Sequence, residues 1–209
     1  MSASHVIPGL NILEAGEDSF TRRGAVNNQV DWESLWAPYD EPTYQAVLAE
    51  IQPNDFVLEI GAGDLRLARR LAAKARRVEA VEIQTGVLAA GTREPIPSNL
   101  IVHQADALTM PFPGGLISAV LLMRHCTHYS EYVARLRNVG CQRLITNARW
   151  HFGVEVIQLY TPRIPFDWLE LGWYGCECGA AGFKSGPIEK YGQKIDTIVI
   201  EVCNCPNCL

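Results

Sequence analysis

Between residues 56 and 148 the chain alternates short apolar runs with stretches whose apolar positions recur every third or fourth residue. The runs "FVLEI" (56–60), "VEAVEI" (78–83), "NLIVHQAD" (99–106), "LISAVLLM" (116–123) and "RLITNA" (143–148) read as strands. Helical patterns separate them over 65–76, 85–91 and 130–138. A further helix precedes them in "YDEPTYQAVLAEI": Asp40 and Glu41 stand ahead of Pro42 in its first turn, Tyr44, Val47, Leu48 and Ile51 share one face, and Pro53, Asn54 and Asp55 end it. Strands that alternate with helices imply right-handed crossovers, so the pattern predicts a doubly wound α/β fold with a mostly parallel sheet covered on both faces.

The two ends depart from this rhythm. Residues 1–30, with Pro8, Gly9, Gly16 and Gly24, read as an irregular lead-in. Near the other end, the stretch 154–173 reads as a helix broken by Pro162 and Pro165. "FKSGPIEKYG" and "DTIVIEV" then follow as strands with only "QKI" between them, too short for a parallel crossover, so they are expected to pair antiparallel.

With 209 residues, 48% of them hydrophobic, the chain suits one globular domain. No apolar run approaches the roughly 20 residues that span a bilayer, and the acidic residues Glu14, Glu17 and Asp18 interrupt the opening stretch, so a cytoplasmic protein with no membrane partner is expected. The net charge of -5 argues against broad nucleic-acid binding but leaves room for a local RNA contact. A basic cluster, Arg66, Arg69, Arg70, Lys74, Arg76 and Arg77, is interleaved with Leu67, Leu71 and Ala75 and reads as a solvated helix face.

The sharpest chemical signal is "VLEIGAGDL". An apolar strand ending in Glu59 runs into Gly61 and Gly63, and bare backbone at such a turn lets a nucleoside ligand approach closely. Further on, "AVEI" sets Glu82 at the end of the second strand, where a carboxylate can accept from both ribose hydroxyls. "HQADAL" sets Asp106 after the third strand, suited to an exocyclic adenine amine. A dinucleotide site would want a third glycine where Arg66 stands, which disfavours NAD. Glu59 instead suits the cationic amino-acid end of S-adenosylmethionine.

On "EIGAGD", "AVEI" and "DALTMPFP" the chain resembles the class I S-adenosylmethionine-dependent methyltransferases over residues 32–202, and most nearly the ribosomal RNA adenine dimethylases. The resemblance implies a Rossmann-like, seven-stranded, mostly parallel sheet with an antiparallel last strand. It also implies a cofactor site of Glu59, Gly61, Ala62, Gly63, Glu82, Ile83, Asp106 and Ala107. Leu65 stands where that family often has another glycine. The Asn-x-Pro-Tyr type tetrapeptide that those dimethylases carry after the fourth strand is absent, and "MRHCTHY" takes its place. The acceptor is therefore left open between RNA and a small molecule.

Groups that align an acceptor or remove its proton belong on loops past the carboxyl ends of the strands. Arg124, His125, His128 and Tyr129 follow the fourth strand, and Asn147, Arg149, Trp150 and His151 follow the fifth. His125 is the candidate base, Tyr129 a candidate catalytic pocket wall, and Trp150 a second wall.

Cysteine is crowded into the final stretch. The strand directions expected here bring Cys176 and Cys178 together with Cys203, Cys205 and Cys208 at the lower rim of the sheet. The best tetrahedral zinc set is Cys176, Cys178, Cys205 and Cys208, with Cys203 spare or replacing Cys205. An iron-sulfur cluster is the competing occupant. The domain plan is thus a lead-in (1–30), an S-adenosylmethionine-binding methyltransferase domain (31–202) and a cysteine-rich tail (203–209) packed with 176–178. A protein that binds the cofactor as a sensor or assembly partner, with a structural zinc site, is the alternative to an enzyme.

Overall fold

The protein is described by a computed structural model that covers residues 39–208, apart from 125, 150–152, 193–194 and 196–197. The lead-in 1–30, His125, Trp150 and His151 lie outside the described residues. Helix α1 (Glu41–Glu50) starts as expected: Asp40 caps it by accepting the Thr43 amide at 3.0 Å, and Tyr44, Val47 and Leu48 turn inward. After it come β1 (Phe56–Ile60), α2 (Arg66–Ala72), β2 (Arg77–Glu82), α3 (Thr85–Gly91), β3 (Leu100–Gln104), β4 (Ser118–Leu121), α4 (Tyr129–Asn138), β5 (Arg143–Thr146) and β6 (Glu155–Gln158).

Among the described residues the large sheet has six strands in the order β3-β2-β1-β4-β5-β6. The first five in that order run parallel, and β6 lies antiparallel to β5. The doubly wound, mostly parallel sheet therefore stands as expected, with its order reversing beside β1, where ligands bind in such folds. Side chains alternate between two cores. Val57, Val78, Ala80, Val120 and Ile145 meet α1 and α2, whereas Phe56, Leu58, Ile60, Ala119, Leu121 and Leu144 meet α4.

The expected seventh strand is a correction. The stretch read as a broken helix instead supplies the closing strand β6, because "VEVIQL" buries side chains on both faces, Val156 toward one core and Ile157 and Leu159 toward the other. Beyond β6 the chain forms a second sheet of four strands in the order β7-β10-β8-β9: β7 (Ile164–Pro165), β8 (Gly172–Cys176), β9 (Ala181–Lys184) and β10 (Val199–Cys203). The pairing expected of the last two strands also changes. "GWYGC", not assigned to a strand from the pattern, takes both partners: β9 pairs with it antiparallel and β10 parallel.

Buried charges lock this arrangement. At the amino-terminal edge of the large sheet Asp55, 3% exposed, pairs with Arg143 at 2.8 Å, and the same guanidinium donates to the Glu50 carbonyl at 2.8 Å. The basic cluster on and after α2 is partly solvated, with Lys74, Arg76 and Arg77 exposed, and it also supplies struts. Arg69 donates to the carbonyls of Gly91, Glu94 and Pro95, Lys74 to that of Leu48, and Arg70 pairs with Glu41. Arg149, just past β5, joins the two sheets: it bonds Glu155 at the start of β6 at 2.5 Å and Glu201 in β10 at 2.7 Å. Only glycine fits at 175, because a β-carbon there would overlap the Arg149 guanidinium.

Removing one member of a buried ion network leaves the others uncompensated. Arg149→Ala is expected to cost about 3–5 kcal/mol in urea denaturation, since Glu155 would lose its cation and Glu201 would keep only Arg163 at 3.7 Å.

Candidate functional site

The turn from β1 into α2 is built from backbone that side chains would obstruct. Gly61 and Gly63 adopt left-handed φ of 76° and 57°. The amides of Gly61 and Ala62 donate to the Val81 carbonyl at 2.9 and 3.0 Å, tying the turn to the end of β2. The Gly63 amide donates to Glu82 Oε2 at 2.8 Å, and the Gln84 amide to Glu82 Oε1 at 2.7 Å. Both oxygens of Glu82 are thereby oriented, and each keeps a second acceptor position. Leu65, just before α2, has φ 65° and is fully buried. Its left-handed backbone explains why a glycine suits this position in the resembling family, and burial of the leucine offsets the strain.

Glu59 closes this site from below. It is 5% exposed, and its Oε2 has no hydrogen-bond partner among the described residues. Burial, followed by the neighbouring charges of Glu82 and Asp64, raises its pKa well above the usual carboxylate range. Ile83, beside Glu82, leaves 59% of its surface open although it is apolar. Asp106 follows β3 with Oδ1 accepting the Leu108 amide at 2.8 Å, and Ala107 is buried behind it. The Ala105 amide bonds the Glu82 carbonyl, which ties this loop to the end of β2. The residues singled out for the cofactor thus lie at the carboxyl ends of β1, β2 and β3, with the glycine turn and the loop after β3 both hydrogen-bonded to the end of β2. A sealed, unpartnered carboxylate oxygen beside oriented acceptors and an apolar surface fits a ligand with a cationic end, ribose hydroxyls and a planar base.

Tyr129 is a different matter. It is the first residue of α4, only 3% exposed, and its ring lies against Gly179, where an added β-carbon would sit 3.1 Å away. Burial pushes its hydroxyl pKa upward, so the proton is held firmly. Tyr129, expected as a catalytic wall, is packed at the start of α4 against the cysteine hairpin. Two residues near the site escaped notice in the sequence or were named without a role. Tyr39 donates to the Leu122 carbonyl at 2.9 Å at the end of β4, on no periodic signal. Asn147, past β5, is buried, and among the described residues neither carboxamide atom is hydrogen-bonded.

Cys176, Cys178, Cys205 and Cys208 bring their sulfurs within 4.8 Å of one another, with nearest separations of 3.4, 3.5 and 3.7 Å. A tetrahedral ion with metal–sulfur bonds of about 2.3 Å requires sulfurs about 3.8 Å apart, so the set fits one. Cys203 points elsewhere, its sulfur 3.7 Å from the Ile164 carbonyl. The convergence arises from parallel neighbours β8 and β10 ending side by side, not from opposed strands. Nor does the cluster sit alone at the lower rim: its hairpin lies along α4, with Gly179 on Tyr129 and Glu177 paired with Arg137.

The turn itself can be probed. At Gly61 a β-carbon would lie 2.5 Å from Met123 Cε, in a backbone region costly to other residues. Gly61→Ala is expected to lose about 1–2 kcal/mol of stability through strain, and adding Met123→Ala should not restore it. Thermal unfolding of the single and double variants checks this.

Residues 57–140 match the family model described as a methyltransferase domain. The probable ribosomal RNA small subunit methyltransferase A of Methanosarcina acetivorans is 41% identical over 68 residues, covering 32% of this chain and 25% of that protein. Ribosomal RNA small subunit methyltransferase A of Clostridium acetobutylicum is 34% identical over 97 residues, 44% of this chain and 35% of that protein. The chain thus spans about a quarter to a third of the length of these curated relatives. Among solved structures, a precorrin 8w decarboxylase from Methanobacterium thermoautotrophicum superposes with TM-score 0.46 and 21% identity over 54% of this chain and 65% of that one. Residues 57–140 of the chain are thus similar to a methyltransferase domain, and the stretch that holds the glycine turn and its acidic partners is similar in sequence to part of the ribosomal RNA small subunit methyltransferases A.

Proposed function

We propose that the chain is an S-adenosylmethionine-dependent methyltransferase that acts on RNA or a small molecule, and that its four converging cysteines hold a structural zinc ion. The observation that carries the first part is the unpartnered Oε2 of Glu59, sealed beside a glycine turn and Glu82. When bound, S-adenosylmethionine supplies an electrophilic methyl group. Glu59 would then lie toward the cationic end of the cofactor, Glu82 would accept from the ribose hydroxyls, and Asp106 from the adenine amine. Ala62, Ile83 and Ala107 would supply apolar contact, and Gly61 and Gly63 would leave space for close approach. His125 stays the candidate base on sequence grounds alone. The names of the matched relatives support RNA as acceptor. The net charge of -5, and the engagement of Arg69, Arg70 and Lys74 in internal bonds, weigh against a broad basic RNA surface. No observation favours the sensor reading.

Among the described residues no helix is long and apolar enough to cross a membrane. We assign the chain to the cytoplasm, where thiols stay reduced and available to a metal. Burial raises the pKa of Cys178 and Cys205, so the crowded thiols resist ionising together without a cation. A closed set of four thiolates leaves no open coordination position and makes the ion structural.

Calorimetric titration with S-adenosylmethionine tests the first part. Glu59→Gln is expected to weaken binding about 10–100-fold by removing a charge-assisted contact. The raised pKa of Glu59 sets the sign of the pH dependence. Above the unfolded carboxylate value of 4.5 the free protein carries an increasing penalty for ionising Glu59, which the cofactor cation offsets. Affinity should therefore rise with pH through the raised pKa in the wild type and stay flat in the variant. Incubation with RNA fragments and small-molecule acceptors should convert the cofactor to S-adenosylhomocysteine, and failure with every acceptor would sink the enzyme reading.

Metal analysis tests the second part. One zinc per chain is expected, retained in Cys203→Ser and lost in Cys205→Ser, with the melting temperature falling by about 10 °C on chelation. Iron with visible absorbance would favour a cluster instead.

A further inference from the structure

Asn147 is only 5% exposed, yet among the described residues both polar atoms of its carboxamide lack a hydrogen-bond partner. Folding ordinarily avoids this, because an amide withdrawn from water loses its solvent bonds and gains none in return. Its place in the fold relates this cost to the methyltransferase site. Leu144 and Ala148 belong to the core beneath α4, and Ile145 to the core beneath α1 and α2. The alternation thus sets Asn147 on the α1 and α2 face, the face of Val57 and Val120 and, by the same alternation, of Glu59.

The register fixes the relation more closely. Glu59 pairs with Val120, and Val120 with Ile145. Asn147 therefore stands two strands across from Glu59, about 10 Å, and one pleat beyond it, about 7 Å toward the carboxyl edge. Leu121 pairs with Thr146, so Leu122, whose carbonyl accepts the Tyr39 hydroxyl, is the neighbour of Asn147 in the continued register. A methyl donor held over β1 and β2 would leave the carboxyl ends of β4 and β5 to its acceptor, and Tyr39, bonded to Leu122, and Asn147 stand at those two strand ends.

We propose that Asn147 is the residue that positions the methyl acceptor, and that it takes a planar edge presenting an N–H beside a nitrogen or oxygen lone pair. This rests on the methyltransferase reading above. A carboxamide donates through nitrogen and accepts through oxygen in one plane. Its complement is a primary amide or an amino-substituted nitrogen heterocycle, the pairing by which asparagine reads a base edge. A carboxylate or phosphate would satisfy only the nitrogen, and an ammonium only the oxygen, leaving the other atom buried and unpaired.

The test compares wild type, Asn147→Leu and Asn147→Ala by thermal unfolding, alone and with ligands. Without ligand, relief of the unpaired amide should raise the melting temperature of at least one variant by about 2 °C or more; a loss in both means the residue is structural and overturns the proposal. With saturating S-adenosylhomocysteine present, adenosine, cytidine or nicotinamide should stabilise the wild type further. Purine riboside, which has no base N–H, should not. Both variants should keep the S-adenosylhomocysteine shift and lose the second one. Equal second shifts in wild type and variants, or none in the wild type with any of the three probes, overturns the proposal. If S-adenosylhomocysteine itself gives no shift, the methyltransferase reading fails, while the ligand-free comparison still decides whether Asn147 is structural.

Discussion

A carboxylate oxygen withdrawn from water needs a donor or a cation, and Glu59 has neither within the described residues. The surrounding structure makes the need greater. Glu82 and Asp64 add negative charge, and the Gly61–Gly63 backbone, held to Val81 and Glu82, prevents the turn from folding over to satisfy it. Strain of this kind persists only where the rest of the fold over-determines it. Here the determining elements are β1 and β2, buried along nearly their whole length, and α2, which begins at a leucine in left-handed backbone. A cationic, nucleoside-bearing ligand, as proposed above, would meet these groups already in place.

The second constraint is the tie between the two sheets. Arg149 leaves the end of β5 and reaches Glu155 on the closing strand and Glu201 on β10, with Gly175 cleared to admit it. The cysteine hairpin meets α4 at Tyr129 and Arg137. An ion that fixes the cysteines would therefore brace α4, the helix that comes after the loop containing His125. Such a metal acts on the acceptor side of the site through packing, without touching the chemistry.

Much of this was legible in the chain. Apolar runs alternating with helical patterns over 56–148 suffice for the parallel sheet, because strands buried on both faces carry near-continuous apolar runs. The glycine turn and the acidic residues at three strand ends were legible for a related reason: close approach to a nucleoside restricts which residues fit, and the spacing survives in one dimension. The cysteines could be grouped by ligand spacing, since a tetrahedral ion demands closely placed sulfurs.

The sequence by itself determined the order of elements over 56–148, the glycine turn at the switch point and a four-sulfur set, since each depends on local periodicity or short spacing. Tertiary structure alone decided that "VEVIQL" closes the large sheet, that "GWYGC" founds a second one, and that Cys203 turns aside. It also decided which polar groups are partnered. Arg149 and Asn147 stand two residues apart past the same strand, one with two carboxylates and the other with none of its amide bonds made. Partnership between distant side chains depends on how the layers stack, and no pattern along the chain encodes it.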